Sequence, residues 1–373
     1  MNKRRLTVAI VLPELGGGGA ERTFLNILNH LDRSRFKPVL VLYRRSGSYL
    51  TLLREDVSVV SMGSSRTRRS VVPLARWIRS ERPDVVMSTL LHINVATVAA
   101  MKLSGCKIPV VVRESNHLTA AGRPIRSLSG CMMRWAYRHA DSVVALSHGV
   151  RKDVIARYGL DEDRVQMIHN PIDISDIQKR ADEEAVPLKG WTDTVDPFKL
   201  VAVGRLVPQK GFDLLIKAAS RLPFPWTLLI LGEGSEKKRL RGLAAELEVS
   251  DRVHFPGFIQ NHFPYVAMAD LFVLSSRWEG FGHVIAEAMA CGTPVLSTCC
   301  PSGPDEIIQH GVDGELCDPN SAEALTQHIE NLLRSPETRL KYVEAAAKSV
   351  CRFDAPAVAG RYGALFTELT GTS

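Results

Sequence analysis

No apolar run in this 373-residue chain approaches the ~20 residues that span a bilayer, so an integral membrane protein is not expected. The start, Met1-Asn2-Lys3-Arg4-Arg5 followed by the apolar stretch Leu6–Leu12 and then Pro13, is too short and too soon interrupted for a signal peptide, and reads as a first buried strand. Cysteine is sparse. The seven residues, at 106, 131, 291, 299, 300, 317 and 351, are odd in number and lack any Cys-x-x-Cys spacing, which argues against a disulfide framework or a zinc site and for a reducing, cytosolic compartment. Internal repeats and low-complexity segments are also lacking. A hydrophobic fraction of 45% with 23% charged residues leaves an ordinary globular chain, and its length predicts two domains.

Charge is unevenly placed. Residues 1–180 hold 29 Lys and Arg against 15 Asp and Glu, a charge of +14, whereas residues 181–373 hold 18 against 25, a charge of −7. The basic half suggests an acidic partner such as phosphate-bearing lipid or a membrane surface.

Short β-branched apolar runs alternate with helix-length amphipathic stretches. Strands are predicted at Leu6–Leu12, Pro38–Leu42, Val57–Ser61, Asp84–Ser88, Pro109–Arg113 and Ser142–Leu146. After a polar interval around Lys179–Phe198 the rhythm resumes at Lys199–Val203, Thr227–Leu231, Val253–Phe255, Leu271–Leu274 and Pro294–Ser297. This means βαβ units and two doubly wound parallel-sheet domains, 1–175 and 176–355, with a helical tail 356–373 packing back on the first. Ligands on such sheets bind at the carboxyl ends of strands, so motifs that follow strands take priority.

Three of them do. The first strand runs into Gly16-Gly17-Gly18-Gly19-Ala20-Glu21-Arg22 and a helix from Thr23 to Leu31, a turn whose free N–H groups attract an anion. As a dinucleotide fingerprint it fails: the third glycine position falls on Glu21 or Arg22, and the second strand ends in Tyr43-Arg44-Arg45 rather than a ribose-binding acid. The second, Gly204-Arg205-Leu206 to Lys210-Gly211-Phe212-Asp213, places two cations on one βα loop, Arg205 as a fork of donors and Lys210 as a point charge, suited to a diphosphate. In the third, Glu279-Gly280-Phe281-Gly282 turns into a helix that begins near His283 and carries Glu287, eight positions after Glu279. Glu279 and the backbone of Gly280–Gly282 can hold sugar hydroxyls and phosphate, and Glu287 can accept both ribose hydroxyls.

These segments, with Glu287-Ala288-Met289-Ala290-Cys291-Gly292-Thr293-Pro294-Val295 and Gly311-Val312-Asp313-Gly314-Glu315-Leu316, resemble the family 4 retaining glycosyltransferases. The resemblance extends in order from residue 16 to beyond 316. It implies the GT-B architecture: an α/β protein of two Rossmann-like domains facing an interdomain cleft, acceptor-binding at the N-terminus and donor-binding at the C-terminus. By the same resemblance, Arg205 and Lys210 bind the donor diphosphate, Glu287 the ribose, and Glu279 with Gly280, Phe281 and Gly282 the transferred sugar. Gly18 and Gly19 close over the phosphates, the base rests on backbone near Phe258, and His117 stands near the reacting sugar. Leu118 follows His117 where many relatives have an acid. No Asp-x-Asp metal motif is evident, and the resemblance implies transfer that needs no metal and no cofactor beyond a nucleotide-sugar co-substrate, UDP-linked for choice.

His169-Asn170-Pro171-Ile172-Asp173 and Cys300-Pro301-Ser302-Gly303-Pro304 resemble bacterial members that act on polyprenyl-diphosphate-linked glycans, which suggests a lipid-linked or polysaccharide acceptor in cell-envelope synthesis. A basic amphipathic helix is predicted over Arg123–His139, where Ile125, Leu128, Met132, Met133 and Trp135 accompany Arg123, Arg126, Arg134 and Arg138. With Arg66, Arg68, Arg69, Arg76 and Arg79 it could dock the first domain on anionic lipid at the cytoplasmic face of the inner membrane; a core helix with a solvated basic face remains the other reading. Two further functions stay open: a nicotinamide-dependent oxidoreductase on the same sheets, and a non-enzymatic protein that binds anionic lipid or nucleic acid.

Overall fold

A computed structural model describes residues 4–16, 18–64, 67–122, 127–193 and 198–371. The chain divides into two units, residues 1–172 with 353–373, and residues 173–352.

The first unit runs β1 (Leu6–Leu12), α1 (Gly19–His30), β2 (Phe36–Leu42), β3 (Ser58–Ser61), α2 (Thr67–Glu81), β4 (Val85–Thr89), α3 (Leu91–Ser104), β5 (Val110–Glu114), α4 (Leu128–His139), β6 (Ser142–Ala145), α5 (His148–Tyr158) and β7 (Val165–Met167). Its seven strands are parallel, in the order β3-β2-β1-β4-β5-β6-β7. β4, β5 and β6 are buried at every position, and begin or centre on Val and Met, because helices cover both faces of a parallel sheet.

In the second unit follow α6 (Ile174–Ala181), β8 (Phe198–Val203), α7 (Phe212–Ala219), β9 (Trp226–Leu231), α8 (Lys237–Glu246), β10 (Val253–Gly257), α9 (Phe263–Ala267), β11 (Leu271–Leu274), α10 (His283–Ala290), β12 (Val295–Thr298), α11 (Pro304–Ile307), β13 (Glu315–Cys317), α12 (Ala322–Arg334) and α13 (Pro336–Ser349). Its six strands are again parallel, in the order β10-β9-β8-β11-β12-β13. The core gathers Leu200, Phe212, Leu215, Ile216, Trp226 and Leu228 with Leu325, Ile329 and Leu332 of α12.

The last helix, α14 (Ala355–Thr370), belongs to the first unit. Backbone bonds from Ile172 N to Phe353 O (2.9 Å) and from Ala355 N to Ile172 O (2.8 Å) stitch the returning chain to residues just past β7. Val358, Tyr362, Leu365 and Phe366 then enter the core beside Phe24 and Ile27 of α1, with the Phe366 ring edge-on to Phe36.

Strand ends differ from the sequence reading by no more than two residues. β7 and β13, which lie at sheet edges, were not anticipated; three residues give too little alternation to register. α1 begins at Gly19 rather than Thr23, because Ala20, Glu21 and Arg22 are good helix formers and Gly18 takes the extended N-cap conformation. The expected helix from Arg123 begins instead at Leu128, where Ser127 Oγ accepts from Gly130 N at 3.1 Å; Arg123, Ile125, Arg126 and Arg66 lie outside the described residues. The interval expected to be polar is also more than a linker: α6 occupies its start, and Trp191 within it is fully buried under Lys199.

Candidate functional site

In each sheet the strand order reverses beside its central strand, between β1 and β4 in the first and between β8 and β11 in the second. Crevices at the carboxyl ends of such strand pairs are where doubly wound sheets bind ligands. The loops after β8 and β11 are those that carry Arg205, Lys210 and Glu279.

These two loops are locked together. Gly211, at φ +62°, would drive a Cβ to 2.0 Å from the Ser275 carbonyl oxygen, so only glycine allows the approach. Ser275 Oγ donates to Lys210 O at 3.0 Å, Arg277 N to Gln209 O at 2.8 Å, and Gln209 Nε2 to Trp278 O at 2.9 Å. Arg277 grips Asp213 with both terminal nitrogens, at 3.0 and 2.8 Å. Burial pushes the Asp213 carboxyl up, but Arg277 outweighs it and the net displacement is downward.

The result is a buried ion pair. Lys210 Nζ stands 2.5 Å from Glu279 Oε1, which also accepts from Ser276 Oγ at 2.6 Å. Arg205 is exposed, and its guanidinium has no ion pair among the described residues. The two cations proposed for one diphosphate therefore differ: Lys210 is neutralised by Glu279, whereas Arg205 is free to meet an anion.

Gly280, Phe281 and Gly282 are buried, with Gly282 at φ +93° as the N-cap of α10. The N–H groups of Gly280 and Gly282 have no acceptor among the described residues. Residues 301–303 lie against this loop: Ser302 Oγ donates to Gly280 O at 3.1 Å, and a Cβ on Gly303 would fall 2.4 Å from Phe281 O. Glu287 is only 5% exposed, and His262 Nε2 approaches its Oε2 at 3.5 Å. Phe258, 60% exposed, follows β10 directly.

In the first unit His117 follows β5, its Nδ1 3.7 Å from Asp153 Oδ2. Gly18 and Gly19 open α1 and are both exposed, with a Glu21 carboxylate oxygen 2.4 Å from where a Cβ on Gly18 would stand. The chain does contain one Asp-x-Asp triplet, Asp161-Glu162-Asp163, in the exposed turn before β7. Among the described residues no group of three or more His, Cys, Asp or Glu could hold a metal. A cavity of about 460 Å³ in the second unit, bounded by Leu188, Lys189, Arg241 and Pro256 among others, includes neither Lys210, Glu279 nor Glu287.

Sequence reading missed Ser276, His262, Asp153 and the packing of Ser302 and Gly303. The Ser302 stretch stood out only as a resemblance to particular bacterial members, and nothing local marks the other three.

Residues 17–176 match the family described as Glycosyltransferase Family 4, and residues 190–349 match Glycosyl transferases group 1. The chain is a family 4 glycosyltransferase with the GT-B fold. A similar curated protein is the N-acetylgalactosamine-N,N'-diacetylbacillosaminyl-diphospho-undecaprenol 4-alpha-N-acetylgalactosaminyltransferase of Campylobacter jejuni, 25% identical over 93% of this chain and 95% of that one. Another is the lipopolysaccharide 1,6-galactosyltransferase of Escherichia coli K12, 28% identical over 82% of each. Among solved structures, Anabaena HepE in complex with UDP-glucose superposes with a TM-score of 0.81 at 23% identity, over 98% of this chain and 100% of that one. Membership in a glycosyltransferase family sets aside the oxidoreductase and the non-enzymatic binding protein.

Proposed function

We propose that this transferase moves a hexose or N-acetylhexosamine, with retention, from a UDP-sugar to a polyprenyl-diphosphate-linked or polysaccharide acceptor during cell-envelope glycan synthesis. The observation that carries the reading is the buried Lys210–Glu279 pair at the switch point of the second sheet, with the buried acid Glu287 on the helix that follows. The names of the Campylobacter and Escherichia relatives and the UDP-glucose in the HepE structure support the donor and acceptor classes.

In this reading Arg205 and Lys210 bind the diphosphate, and Glu287 the ribose. Phe258 supports the base, while Glu279 with Gly280, Phe281 and Gly282 holds the transferred sugar. When phosphate arrives, Lys210 turns part of its charge from Glu279 to the diphosphate, and Glu279 becomes available to sugar hydroxyls. The bond from the anomeric carbon to the diphosphate oxygen breaks, and the acceptor oxygen bonds to the same face. Its proton passes to the departing phosphate oxygen, whose charge Arg205 and Lys210 stabilise in place of a metal. His117, Gly18 and Gly19 serve the same reaction from the first unit, which takes the acceptor.

We also place the protein at the cytoplasmic face of the inner membrane, held by anionic lipid. On α4 the exposed Leu128, Met132 and Trp135 recur at helical spacing beside Arg134 and Arg138. α4 packs on α3 and α3 on α2, and these three helices hold Arg68, Arg69, Arg76, Arg79, Lys102, Arg134 and Arg138 against the single acid Glu81. No helix among the described residues is long and apolar enough to cross a membrane.

The deciding experiment incubates the purified protein with UDP-, GDP- and ADP-sugars, with and without polyprenyl-diphosphate-linked sugars, and measures nucleotide release. Release from a UDP-sugar that rises with the lipid acceptor is expected. Release from GDP- or ADP-sugars alone overturns the donor assignment, and indifference to the lipid overturns the acceptor.

A further inference from the structure

The segment that carries His117 is held between two buried carboxylates from different elements. On one side Glu114, the last residue of β5, accepts at Oε1 from Ser115 N (2.9 Å) and Asn116 N (3.0 Å). Its Oε2 accepts from the Tyr137 hydroxyl of α4 at 2.6 Å, and that hydroxyl accepts from Asn94 Nδ2 of α3 at 3.2 Å. On the other side Asp153 of α5 accepts at Oδ2 from Leu118 N (2.7 Å) and Thr119 N (3.2 Å), and at Oδ1 from the Thr119 hydroxyl. His117 is the residue between the two anchors.

Neither acid is where packing alone would put one. Glu114 is 1% exposed and the Asp153 side chain 5%, and burying a carboxylate is costly unless donors surround it. Here those donors are the N–H groups of Ser115, Asn116, Leu118 and Thr119 with the Tyr137 and Thr119 hydroxyls. Burial pushes the Glu114 carboxyl up, and the Tyr137, Asn116 and Ser115 donors offset only part of that, so the net displacement is upward. Consecutive N–H groups fixed in this way leave the loop little freedom, and His117 takes its position from them. Its Nδ1 lies 3.3 Å from Ala120 N and 3.7 Å from Asp153 Oδ2, so the ring as well as the backbone is held on the Asp153 side.

We propose that Asp153 and Glu114 are positioning residues for transfer, clamping the Ser115–Thr119 segment so that His117 is held ready for the reacting sugar. This rests on the reading that His117 acts beside that sugar. A displacement of about 1 Å is enough to cost ~100-fold in rate, so a clamp that fixes a loop to within hydrogen-bond tolerance acts on turnover more than on binding.

The test compares His117→Ala, Asp153→Ala, Asp153→Asn and Thr119→Val. Turnover is read as UDP release from whichever of UDP-galactose, UDP-glucose or UDP-N-acetylgalactosamine the wild type uses, UDP affinity by calorimetry, and folding by thermal melt. H117A and D153A are each expected to lower kcat by ~100-fold with UDP affinity within about twofold of wild type. D153N, whose amide oxygen still accepts from Leu118 and Thr119, is expected to recover to within ~10-fold of wild type. T119V, an exposed change that removes the hydroxyl's bond to Asp153 along with a 3.4 Å bond from Arg157, lowers kcat by ~5-fold. Full kcat in D153A beside an inactive H117A overturns the clamp alone, whereas full kcat in H117A removes the reading of His117 and the clamp with it. If D153A does not fold, T119V decides, and wild-type kcat there overturns the proposal.

Discussion

Lys210 and Glu279, 69 positions apart, meet with Nζ 2.5 Å from Oε1, both side chains largely shielded from water. Removing one partner of a buried pair strands the other, at about 3–5 kcal/mol. Lys210→Ala is therefore expected to lower both the melting temperature and, by ~100-fold or more, the rate of transfer. Glu279→Gln, which keeps shape and hydrogen-bond capacity, is expected to stay folded while losing transfer to a similar degree. Wild-type turnover in either variant would sink the assignment of the pair to the donor site.

Glu287→Ala tests the ribose contact separately. A hydrogen bond to a charged group contributes about 1.5–3 kcal/mol, so UDP affinity measured by calorimetry should fall ~10- to 100-fold. Unchanged affinity would move the ribose elsewhere. Since His262 Nε2 lies 3.5 Å from the Glu287 carboxylate, His262→Ala is expected to weaken UDP in the same direction by a smaller factor.

Asp213 gives the loop lock a pH signature. Its carboxyl is held below its ordinary value by Arg277 against the opposing effect of burial, so the stabilisation is present above about pH 4 and is lost as pH falls through the folded value. Asp213→Asn should be about 1.5–3 kcal/mol less stable than wild type at pH 7, with the difference shrinking below pH 4 in denaturant titrations. A gap that stays constant down to pH 2 would mean that the carboxylate charge contributes nothing.

For the membrane face, cosedimentation with vesicles containing phosphatidylglycerol is expected to retain the protein at low salt and release it at high salt. Each cation near such a surface contributes about 1 kcal/mol, so Arg134→Ser with Arg138→Ser should cut partitioning ~20-fold or more. Trp135→Ala should weaken binding to the same vesicles without altering its salt dependence. Equal binding to neutral phosphatidylcholine vesicles would remove the electrostatic part of the reading.

Much of this was legible locally. The alternation of apolar runs located eleven of the thirteen strands among the described residues and hence two parallel sheets, because a strand buried on both faces is written as a continuous apolar stretch. β7 and β13 escaped for want of length, whereas the start of α4 was marked locally by Ser127, an N-cap residue passed over in favour of the basic, apolar pattern that begins at Arg123. Glu279 and Glu287 were found by their spacing around a glycine turn, yet their burial was not visible: an acid on a helix usually faces water.

The sequence by itself determined the order of elements, the phosphate-suited loop from Arg205 to Lys210, the Glu279-Gly280-Phe281-Gly282 turn and, through them, the family. Tertiary structure alone decided that Lys210 is already paired with Glu279 while Arg205 has no ion pair among the described residues, that the Glu21 carboxylate lies beside Gly18, that Ser302 and Gly303 pack on the Gly280–Gly282 loop, and that Glu114 and Asp153 hold the His117 segment from both sides. The reason is range. Periodicity and turn chemistry act over a few residues, whereas the partner that neutralises a buried charge is whichever group the fold brings within about 3 Å, however far away it lies in the chain.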